Sequence, residues 1–243
     1  MNDLTKNVIE WTKNYLGNNK VVIGISGGKD SSVAAAVCVA AVGKENVIGV
    51  ELPNCIQTDI SDSDRLIEHL GIQKKVINIG KAYNGLIEQI ENPNSPCVVN
   101  LPARLRMATL YAIAQNEGAR VCNTCNRSED IVGYSTLWGD SVGDFSPFGM
   151  LTTEEVVAIG DDLGVPYDLT HKTPSDGLCG KTDEENLGFT YNEINKIIRN
   201  GEHTENFDKI IARFEKNRFK LDMIKLPKFN PNITDYFIKN YGV

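Results

Sequence analysis

The sequence lacks any apolar run long enough to cross a membrane, which takes about 20 consecutive apolar residues. The segment at residues 1–6 is polar and has none of the apolar character of a signal peptide. These two features predict a protein without a membrane-spanning segment and with a cytoplasmic location.

Basic residues are also scarce relative to acidic ones. The chain has 25 Lys and Arg against 32 Asp and Glu, which gives a net charge of −7. Proteins that bind nucleic acid broadly need a surplus of Lys and Arg to neutralise phosphates. The charge balance therefore argues against a nucleic-acid partner, although it permits a local basic pocket for a small anion.

Histidine is rare, with three residues in the chain, and only one Cys-x-x-Cys pair occurs, Cys122 and Cys125. A structural zinc ion needs four ligands at suitable spacing, and no second pair supplies them. In a cytoplasmic protein we expect the six cysteines to be thiols. The pair is therefore interpreted as a strand end with two small residues, with a thiol function as the alternative.

Predicted strands and helices alternate along the first half of the chain, a pattern typical of parallel sheets with right-handed crossovers. The sequence therefore predicts an α/β fold with an open, doubly wound parallel sheet flanked by helices, and a helical C-terminal part. At this length we expect one domain over residues 1–243. Strands are predicted at 21–25, 47–52, 75–79 and 119–122, and helices at 3–16, 31–42, 59–70, 82–90, 102–114, 126–134, 152–163, 191–200 and 205–223.

The most informative stretch joins the first predicted strand to the helix after it. The glycines allow a sharp turn and let the backbone approach a ligand without a Cβ in the way. The start of the helix offers unpaired N–H groups and the positive end of the helix dipole, which together favour an anion. We therefore predict a phosphate-binding cradle. Its residues are Gly24, Ile25, Ser26, Gly27, Gly28, Lys29, Asp30 and Ser31.

This cradle differs from the common P-loop, which has four residues between its glycines and then Lys followed by Ser or Thr. Here three residues separate Gly24 from Gly28, and Asp30 follows Lys29. Magnesium favours one or two carboxylates together with phosphate oxygens, so Asp30 is predicted to be a metal ligand. Two polar stretches, 137–149 and 170–185, are interpreted as irregular, the first as a flexible active-site loop.

The Ser-Gly-Gly-Lys-Asp-Ser segment at 26–31 resembles the signature of the PP-loop, or N-type, ATP pyrophosphatases. Further segments, in family order, resemble motifs of the ammonia-dependent NAD synthetases. The resemblance covers roughly residues 20–200 and implies an adenine-nucleotide alpha-hydrolase-like fold, with residues 201–243 as a helical C-terminal extension. The further segments are 102–107, 123–129, 133–140 and 174–188.

The resemblance implies that ATP activates the carboxylate of deamido-NAD as an adenylate, with loss of pyrophosphate, and that ammonia then gives NAD and AMP. It implies that the cradle holds the ATP phosphates, with Lys29 and Asp30 as catalytic residues and with Asp30 and Glu129 as Mg²⁺ ligands. It also implies a homodimer. The remaining implied contacts are Gln57, Thr124 and Ser175 to ATP, and Arg104 and Asp144 to the dinucleotide.

Three positions depart from the family pattern. The family has lysines at the positions of Leu137 and Thr153, and it has a His-Lys pair in the region of residues 221–224. Two alternatives therefore stay open. One is a related PP-loop ligase that adenylates a different carboxylate. The other is a tRNA-modifying PP-loop enzyme, which the Lys within the cradle and the Cys-x-x-Cys pair favour. Lys29, Lys172 and Lys181 are candidate replacements for the missing cations.

Overall fold

A parallel β-sheet forms the centre of the protein in a computed structural model, which describes residues 1–55, 60–173, 182–223, 227–231 and 233–242. Among these residues the strands are β1 Lys20–Gly24, β2 Val47–Glu51, β3 Gln73–Val76 and β4 Ala119–Val121. The strands lie in the order β3-β2-β1-β4, and all three neighbouring pairs are parallel.

Strand β1 lies between β2 and β4, and its apolar residues are buried on both faces of the sheet. Val22 pairs with Ile48 of β2 on one side and with Val121 of β4 on the other. The order of the strands runs outward from β1 in both directions, which is the doubly wound arrangement. The predicted fold class is confirmed.

Helices surround this sheet. Although α5 has 23 residues, no helix in the described part of the chain has both the length and the apolar content to cross a membrane. The helices are α1 Asp3–Leu16, α2 Lys29–Val42, α3 Ile60–Leu70, α4 Gly80–Ile87, α5 Ser95–Glu117, α6 Arg127–Val132, α7 Thr153–Asp162, α8 Tyr167–Thr170, α9 Asp183–Leu187, α10 Tyr191–Asn200, α11 Phe207–Asn217, α12 Phe219–Met223 and α13 Tyr236–Tyr241, with a short 3₁₀ helix at Lys44–Asn46.

The two faces of the sheet are covered by different helices. Successive side chains of a strand point to opposite faces. Val21 and Ile23 accordingly pack with α1, α2 and α7, whereas Val22 packs with α5. Helix α2 is apolar around most of its circumference, and it is buried between the sheet and α1, α7 and α8.

The C-terminal part is helical, as predicted, and it packs on α6. Ile131 and Val132 of α6 share an apolar cluster with Ile194 of α10, Phe214 of α11 and Phe237 of α13. Because α6 follows β4 directly, the C-terminal helices support an element that begins at the edge of the sheet.

At the edge of the sheet, two elements lie a few residues away from their predicted positions. Strand β3 was predicted at 75–79 but lies at Gln73–Val76, and α4 begins at Gly80 rather than 82. Strand β3 is the edge strand next to β2 and its side chains are mostly exposed. Its polar sequence therefore gave little apolar signal, and the apolar residues just after it were mistaken for the strand.

The start of α5 was also predicted wrongly. Proline favours the first turn of a helix, so Pro102 was interpreted as the beginning. The helix begins at Ser95, where the Asn94 side chain accepts a hydrogen bond from the Cys97 N–H, and Pro102 lies in its interior. The predicted helix at 205–223 is likewise two helices, α11 and α12.

The predicted flexible loop at 137–149 is wrong in its second half. Phe145 and Phe148 are fully buried in the main core, and Phe145 forms a parallel bridge with Cys122 beside β4. The abundance of Gly, Asp and Ser in this loop obscured these two aromatic anchors. In the stretch predicted to be irregular at 170–185, α9 begins at Asp183, and residues 174–181 lie outside the described residues.

An ion pair that is buried on both sides ties α6 to α13. Arg127 Nε donates to Asp235 Oδ2 at 2.8 Å, and each side chain is 1% exposed. The other carboxylate oxygen of Asp235 accepts from the backbone N–H groups of Phe237 and Ile238, which caps α13. One carboxylate therefore both begins the last helix and neutralises a core arginine.

We predict that Asp235→Ala lowers the free energy of unfolding by about 3–5 kcal/mol, because it leaves a buried guanidinium without this carboxylate. Urea unfolding followed by circular dichroism measures the change. Lys6→Ala is the matched control, since it breaks an exposed ion pair with Asp3 and should leave the unfolding free energy nearly unchanged. Equal effects of the two variants would contradict the anchoring role.

Candidate active site

The cradle lies at the carboxyl end of β1, where the chain turns into α2. Gly27 has φ +75°, a conformation that favours glycine, and a Cβ on Gly24 would come within 3.3 Å of Leu110. Gly28 is the N-cap of α2 and makes no side-chain capping hydrogen bond. The first N–H groups of a helix have no intrahelical partner, so those of α2 are available to an anion.

Serine hydroxyls hold the cradle in shape. The hydroxyls of Ser31 and Ser32 donate to the carbonyl oxygen of Gly28 at 3.1 and 2.7 Å. The hydroxyls of Ser26 and Ser31 lie 3.0 Å apart, and the Gly28 N–H donates to the Ser26 hydroxyl at 3.2 Å. The turn is therefore held in shape by hydrogen bonds from its own side chains.

Lys29 and Asp30 form a close ion pair at the start of α2. Lys29 Nζ lies 2.6 Å from Asp30 Oδ2, and the Lys29 side chain is 5% exposed. The ammonium group therefore points into the protein, towards a carboxylate, rather than outward over the cradle.

Helix α6 meets the cradle through Asn126, its N-cap. Asn126 Nδ2 donates to Asp30 Oδ1 at 2.9 Å, while Asn126 Oδ1 accepts from the Glu129 N–H at 3.1 Å. Glu129 Oε2 accepts from the Asn126 N–H at 3.2 Å, which completes a capping box. The two carboxylates predicted to bind metal, Asp30 and Glu129, are thus linked through one asparagine.

The electrostatics of the site follow from this crowding of charges. Burial and then repulsion by Asp30 raise the pKa of Glu129 well above its usual value. Burial lowers the pKa of Lys29, but the carboxylates around it, first Asp30 and then Glu129 and Asp183, more than offset this and raise it. Burial and the same carboxylates also raise the pKa of Tyr191. The site is an acidic cluster that contains one resident ammonium.

A second cation stands at the rim of the cradle. Lys172, which follows α8, donates from Nζ to Asp62 Oδ2 at 2.7 Å and to the Gly27 carbonyl oxygen at 3.3 Å. Of the candidate replacements for the missing family lysines, Lys172 is thus located at the cradle, while Lys181 lies outside the described residues.

The two arginines of α5 point in different directions. Arg104 Nε donates to the Leu137 carbonyl oxygen at 3.1 Å, and Arg106 Nε donates to that of Leu52 at 3.0 Å. Leu52 directly follows β2, so Arg106 lies at the same edge of the sheet as the cradle. Burial lowers the pKa of Arg106, and attraction to Asp140 opposes this. The structure therefore places Arg106 at this edge of the sheet and Arg104, the arginine implied by the resemblance, beside the loop at 137–149.

Asp144 has a clear structural task. Its Oδ2 accepts from the Val121 N–H at 2.8 Å, and its own N–H donates to the Val121 carbonyl oxygen at 2.8 Å. Its carbonyl oxygen accepts from the Tyr15 hydroxyl. The carboxylate therefore completes the pairing at the end of β4, and a contact with the dinucleotide stays a prediction.

Of the residues predicted to contact ATP outside the cradle, Thr124 lies in the connection from β4 to α6, beside Asn126. The other two, Gln57 and Ser175, lie outside the described residues.

The Cys-x-x-Cys pair is buried and its thiols are free. Cys125 Sγ donates to the Asp140 carbonyl oxygen at 3.3 Å, and Cys122 Sγ lies 3.9 Å from Cys38 Sγ. Burial raises the pKa of both thiols of the pair, which disfavours the thiolate that metal binding and redox chemistry require. The pair fits packing at the end of β4.

Asn126 and Asp183 are the site residues that the sequence reasoning missed. The Asn-x-x-Glu spacing of Asn126 and Glu129 is a helix-start signature, so a search for capping boxes would have found the first. Thr182 and Glu185 form a similar capping box at the start of α9, but this signal marks the helix and not the proximity of Asp183 to Lys29.

A parallel α/β sheet whose first strand leads through a glycine turn into a helix with a carboxylate, Asp30, in its first turn is typical of PP-loop nucleotide-binding proteins. The NAD synthase family profile matches residues 2–226 of this chain. The chain is 43% identical to an NH(3)-dependent NAD(+) synthetase from Pyrococcus horikoshii, over 75% of this chain and 72% of the relative. The chain belongs to the NAD synthase family.

Solved structures agree with this assignment. An NMN synthetase from Francisella tularensis superposes with a TM-score of 0.84 at 32% identity and covers 95% of this chain and 98% of its own. An NH3-dependent NAD synthetase from Campylobacter jejuni, in complex with the nitrate ion, superposes with a TM-score of 0.75 at 27% identity and covers 95% and 99%. The family is one of ligases that use ATP as co-substrate.

We predict that Asn126→Asp lowers kcat/KM at least about tenfold, because an acceptor oxygen replaces the amide that donates to Asp30, a hydrogen bond to a charged group. Folding should persist, since Asp caps helices as well as Asn does. Steady-state kinetics and thermal unfolding measure the two effects.

Asn94→Asp is the matched control, because it makes the same change at the N-cap of α5, where the side chain accepts from Cys97. It should leave kcat/KM close to wild type. If the two variants lose activity equally, the bridge from Asn126 to Asp30 has no part in the site.

Proposed function

We propose that this protein is an ammonia-dependent ligase that uses ATP to amidate the nicotinate carboxylate of deamido-NAD, which gives NAD, AMP and pyrophosphate. The observation that carries the proposal is the uncapped start of α2 beside Asp30, Asn126 and Glu129. This arrangement suits a nucleoside triphosphate, and it occurs in a chain whose family uses ATP.

In this proposal the cradle from Gly24 to Ser31 holds the ATP phosphates, and Asp30 and Glu129 hold Mg²⁺. Carboxylate oxygens are ligands that magnesium prefers. A bound divalent cation would also relieve the repulsion by which Asp30 raises the pKa of Glu129. In the described part of the chain no three His, Cys, Asp or Glu side chains converge as metal ligands. Oxygens of ATP and water would supply the remaining coordination.

The protein's own residues bind and orient the reactants. The N–H groups at the start of α2 and the ammonium of Lys172 stabilise the charge that builds up on the phosphates as the acceptor carboxylate attacks the α-phosphorus. Magnesium, when bound, would screen the repulsion between that carboxylate and the phosphates. Pyrophosphate leaves, ammonia attacks the carbonyl carbon of the adenylate, and AMP is released. Positioning replaces nucleophilic catalysis, so no nucleophilic side chain is required.

The other predicted roles belong to this proposal as well. Arg104 and Asp144 are assigned to the acceptor. The assignment of Arg104 is supported by its hydrogen bond to the Leu137 carbonyl oxygen, in the loop at 137–149. Lys29 acts through Asp30. The ATP contacts outside the cradle are assigned to Gln57, Thr124 and Ser175.

One observation favours a second acceptor, the nicotinate mononucleotide. The NMN synthetase from Francisella tularensis has both a higher identity and a higher TM-score than the NAD synthetase from Campylobacter jejuni. A mononucleotide carries one phosphate fewer than a dinucleotide and needs fewer charged contacts. The segment at 221–224, which stands where the resemblance implies a His-Lys pair that contacts the dinucleotide, fits that smaller demand.

The reaction is proposed to take place in the cytoplasm, where the five described cysteines would persist as the free thiols that the structure contains. Residues 1–243 are proposed to act as one domain, because α6 belongs both to the site and to the apolar cluster of the C-terminal helices. The net charge of −7 argues against a nucleic-acid substrate.

The proposed enzyme is a homodimer, and an exposed apolar face supports this. The face spans the end of β3 and the residue after it, α4 and the turn that follows it, and the first turns of α5. It is defined by Val76, Ile77, Leu86, Ile90, Val98 and Val99, each at least 38% exposed. Exposed apolar residues grouped on neighbouring elements such as α4 and α5 are typical of interfaces. A second copy of the chain is the partner that the family resemblance implies.

We predict that Leu86→Asp raises the dimer dissociation constant by about tenfold or more, because it places a charge in the apolar face. Sedimentation equilibrium measures the constant. Ile238→Asp is the matched control, since Ile238 is equally exposed but lies on α13, and it should leave the constant unchanged. A monomeric wild type at tens of micromolar would contradict the dimer.

For the reaction itself, the protein is incubated with ATP, Mg²⁺ and ammonium, and with deamido-NAD or nicotinate mononucleotide in parallel. We predict amide, AMP and pyrophosphate in equal amounts, with deamido-NAD as the better acceptor by kcat/KM. Asp30→Asn should lower the rate by about 100-fold or more, because it removes a carboxylate assigned to the Mg²⁺ that would screen the phosphates, with unchanged circular dichroism.

Each other outcome has a definite meaning. A higher kcat/KM with the mononucleotide would establish the second acceptor. Pyrophosphate release that requires tRNA and neither nucleotide acceptor would overturn the proposal in favour of a tRNA-modifying enzyme. Folded protein without amide product from either acceptor would contradict both candidate functions.

A further inference from the structure

Lys29 occupies an unusual position for a lysine at the start of a helix. Its side chain is 5% exposed, and its Nζ lies 2.6 Å from Asp30 Oδ2. Lysine is rarely buried unless it is paired. The other lysine of the cradle, Lys172, is 34% exposed and bonds instead to Asp62 and to a backbone carbonyl.

The surroundings of this ammonium are acidic on several sides. Asp30 presents its second oxygen to Asn126 Nδ2 at 2.9 Å. Glu129 and Asp183, from α6 and α9, both interact electrostatically with Lys29. The ammonium thus pairs with Asp30 and is also attracted by two carboxylates from other helices. Without that ammonium, the three carboxylates would repel one another.

We propose that Lys29 is a resident cation of the metal site, which holds Asp30 in place before nucleotide binds and yields Asp30 Oδ2 to magnesium when ATP arrives. The proposal rests on the proposed function above, since it takes Asp30 as a magnesium ligand. Lys29 is on this account a positioning residue that acts through Asp30.

The geometry has a thermodynamic consequence. An ammonium held 2.6 Å from Asp30 Oδ2 repels a magnesium ion at the same oxygen, so the ion binds there more tightly once the ammonium moves away. Before ATP binds, moving the buried ammonium would leave it without a partner, which is costly. With ATP in the cradle, phosphate oxygens can receive the ammonium. Lys29 therefore lowers the affinity of the empty site for magnesium and couples metal binding to nucleotide binding.

The competing account is that Lys29 is a permanent phosphate ligand. Its removal would then weaken nucleotide binding by the same factor at every magnesium concentration. If Lys29 competes with magnesium, its removal weakens nucleotide binding without magnesium and lowers the magnesium concentration required for tight binding. The two accounts therefore differ in the magnesium dependence of binding.

The experiment is isothermal titration calorimetry of the full-length protein with α,β-methylene-ATP, which cannot be cleaved between its α- and β-phosphates, over a series of Mg²⁺ concentrations. For Lys29→Met we expect the half-saturating Mg²⁺ concentration to fall about three- to tenfold relative to wild type, with weaker analogue binding at zero Mg²⁺. Lys29→Gln is measured in parallel, so that the test stands if the Met variant does not fold.

Lys172→Met is the matched control, because it removes a cradle cation that does not touch Asp30, and it should not lower the half-saturating Mg²⁺ concentration. An unchanged or higher Mg²⁺ requirement in the Lys29 variants would overturn the resident-cation role while leaving the proposed function intact. Absence of analogue binding to wild type at any Mg²⁺ concentration would instead overturn the proposed function, and this inference with it.

Discussion

The parallel pairing of β1 with β4 is the constraint on which the site depends. It sets the ends of two strands side by side, so that the turn after β1 and the turn after β4 leave the same edge of the sheet. Helices α2 and α6 then begin next to each other, and Asn126 at the start of α6 reaches Asp30 at the start of α2. A shift of this pairing by one residue would separate the two helix starts.

The rest of the chain stabilises these two helix starts. Helix α2 is buried between the sheet and α1, α7 and α8. Because the cradle leads directly into α2, this packing fixes the position of the cradle. Helix α6 is held by the C-terminal helices through an apolar cluster and through the Arg127–Asp235 ion pair. Buried charges recur in both places, at Lys29 and at Arg127, and each is paired with a carboxylate, as burial of a charge requires.

Local signals in the sequence predicted the β1–α2 junction, because an apolar run, a Ser-Gly-Gly turn and an apolar helix are each visible within a few residues. The position of β3 and the burial of Phe145 could not be predicted in this way, since both depend on neighbours distant in the chain. Asn126 has a local signature and could have been found. The inward direction of Lys29 could not, because it depends on Glu129 and Asp183, which come from other helices.

We infer that the acceptor carboxylate attacks the α-phosphorus of ATP held at the start of α2. The most direct test labels both carboxylate oxygens of deamido-NAD with oxygen-18 and examines the nucleotide product by mass spectrometry. The account predicts one labelled oxygen in AMP for each amide formed, because the carboxylate oxygen that attacks phosphorus leaves with AMP. Unlabelled AMP, or ADP together with labelled phosphate, would contradict it.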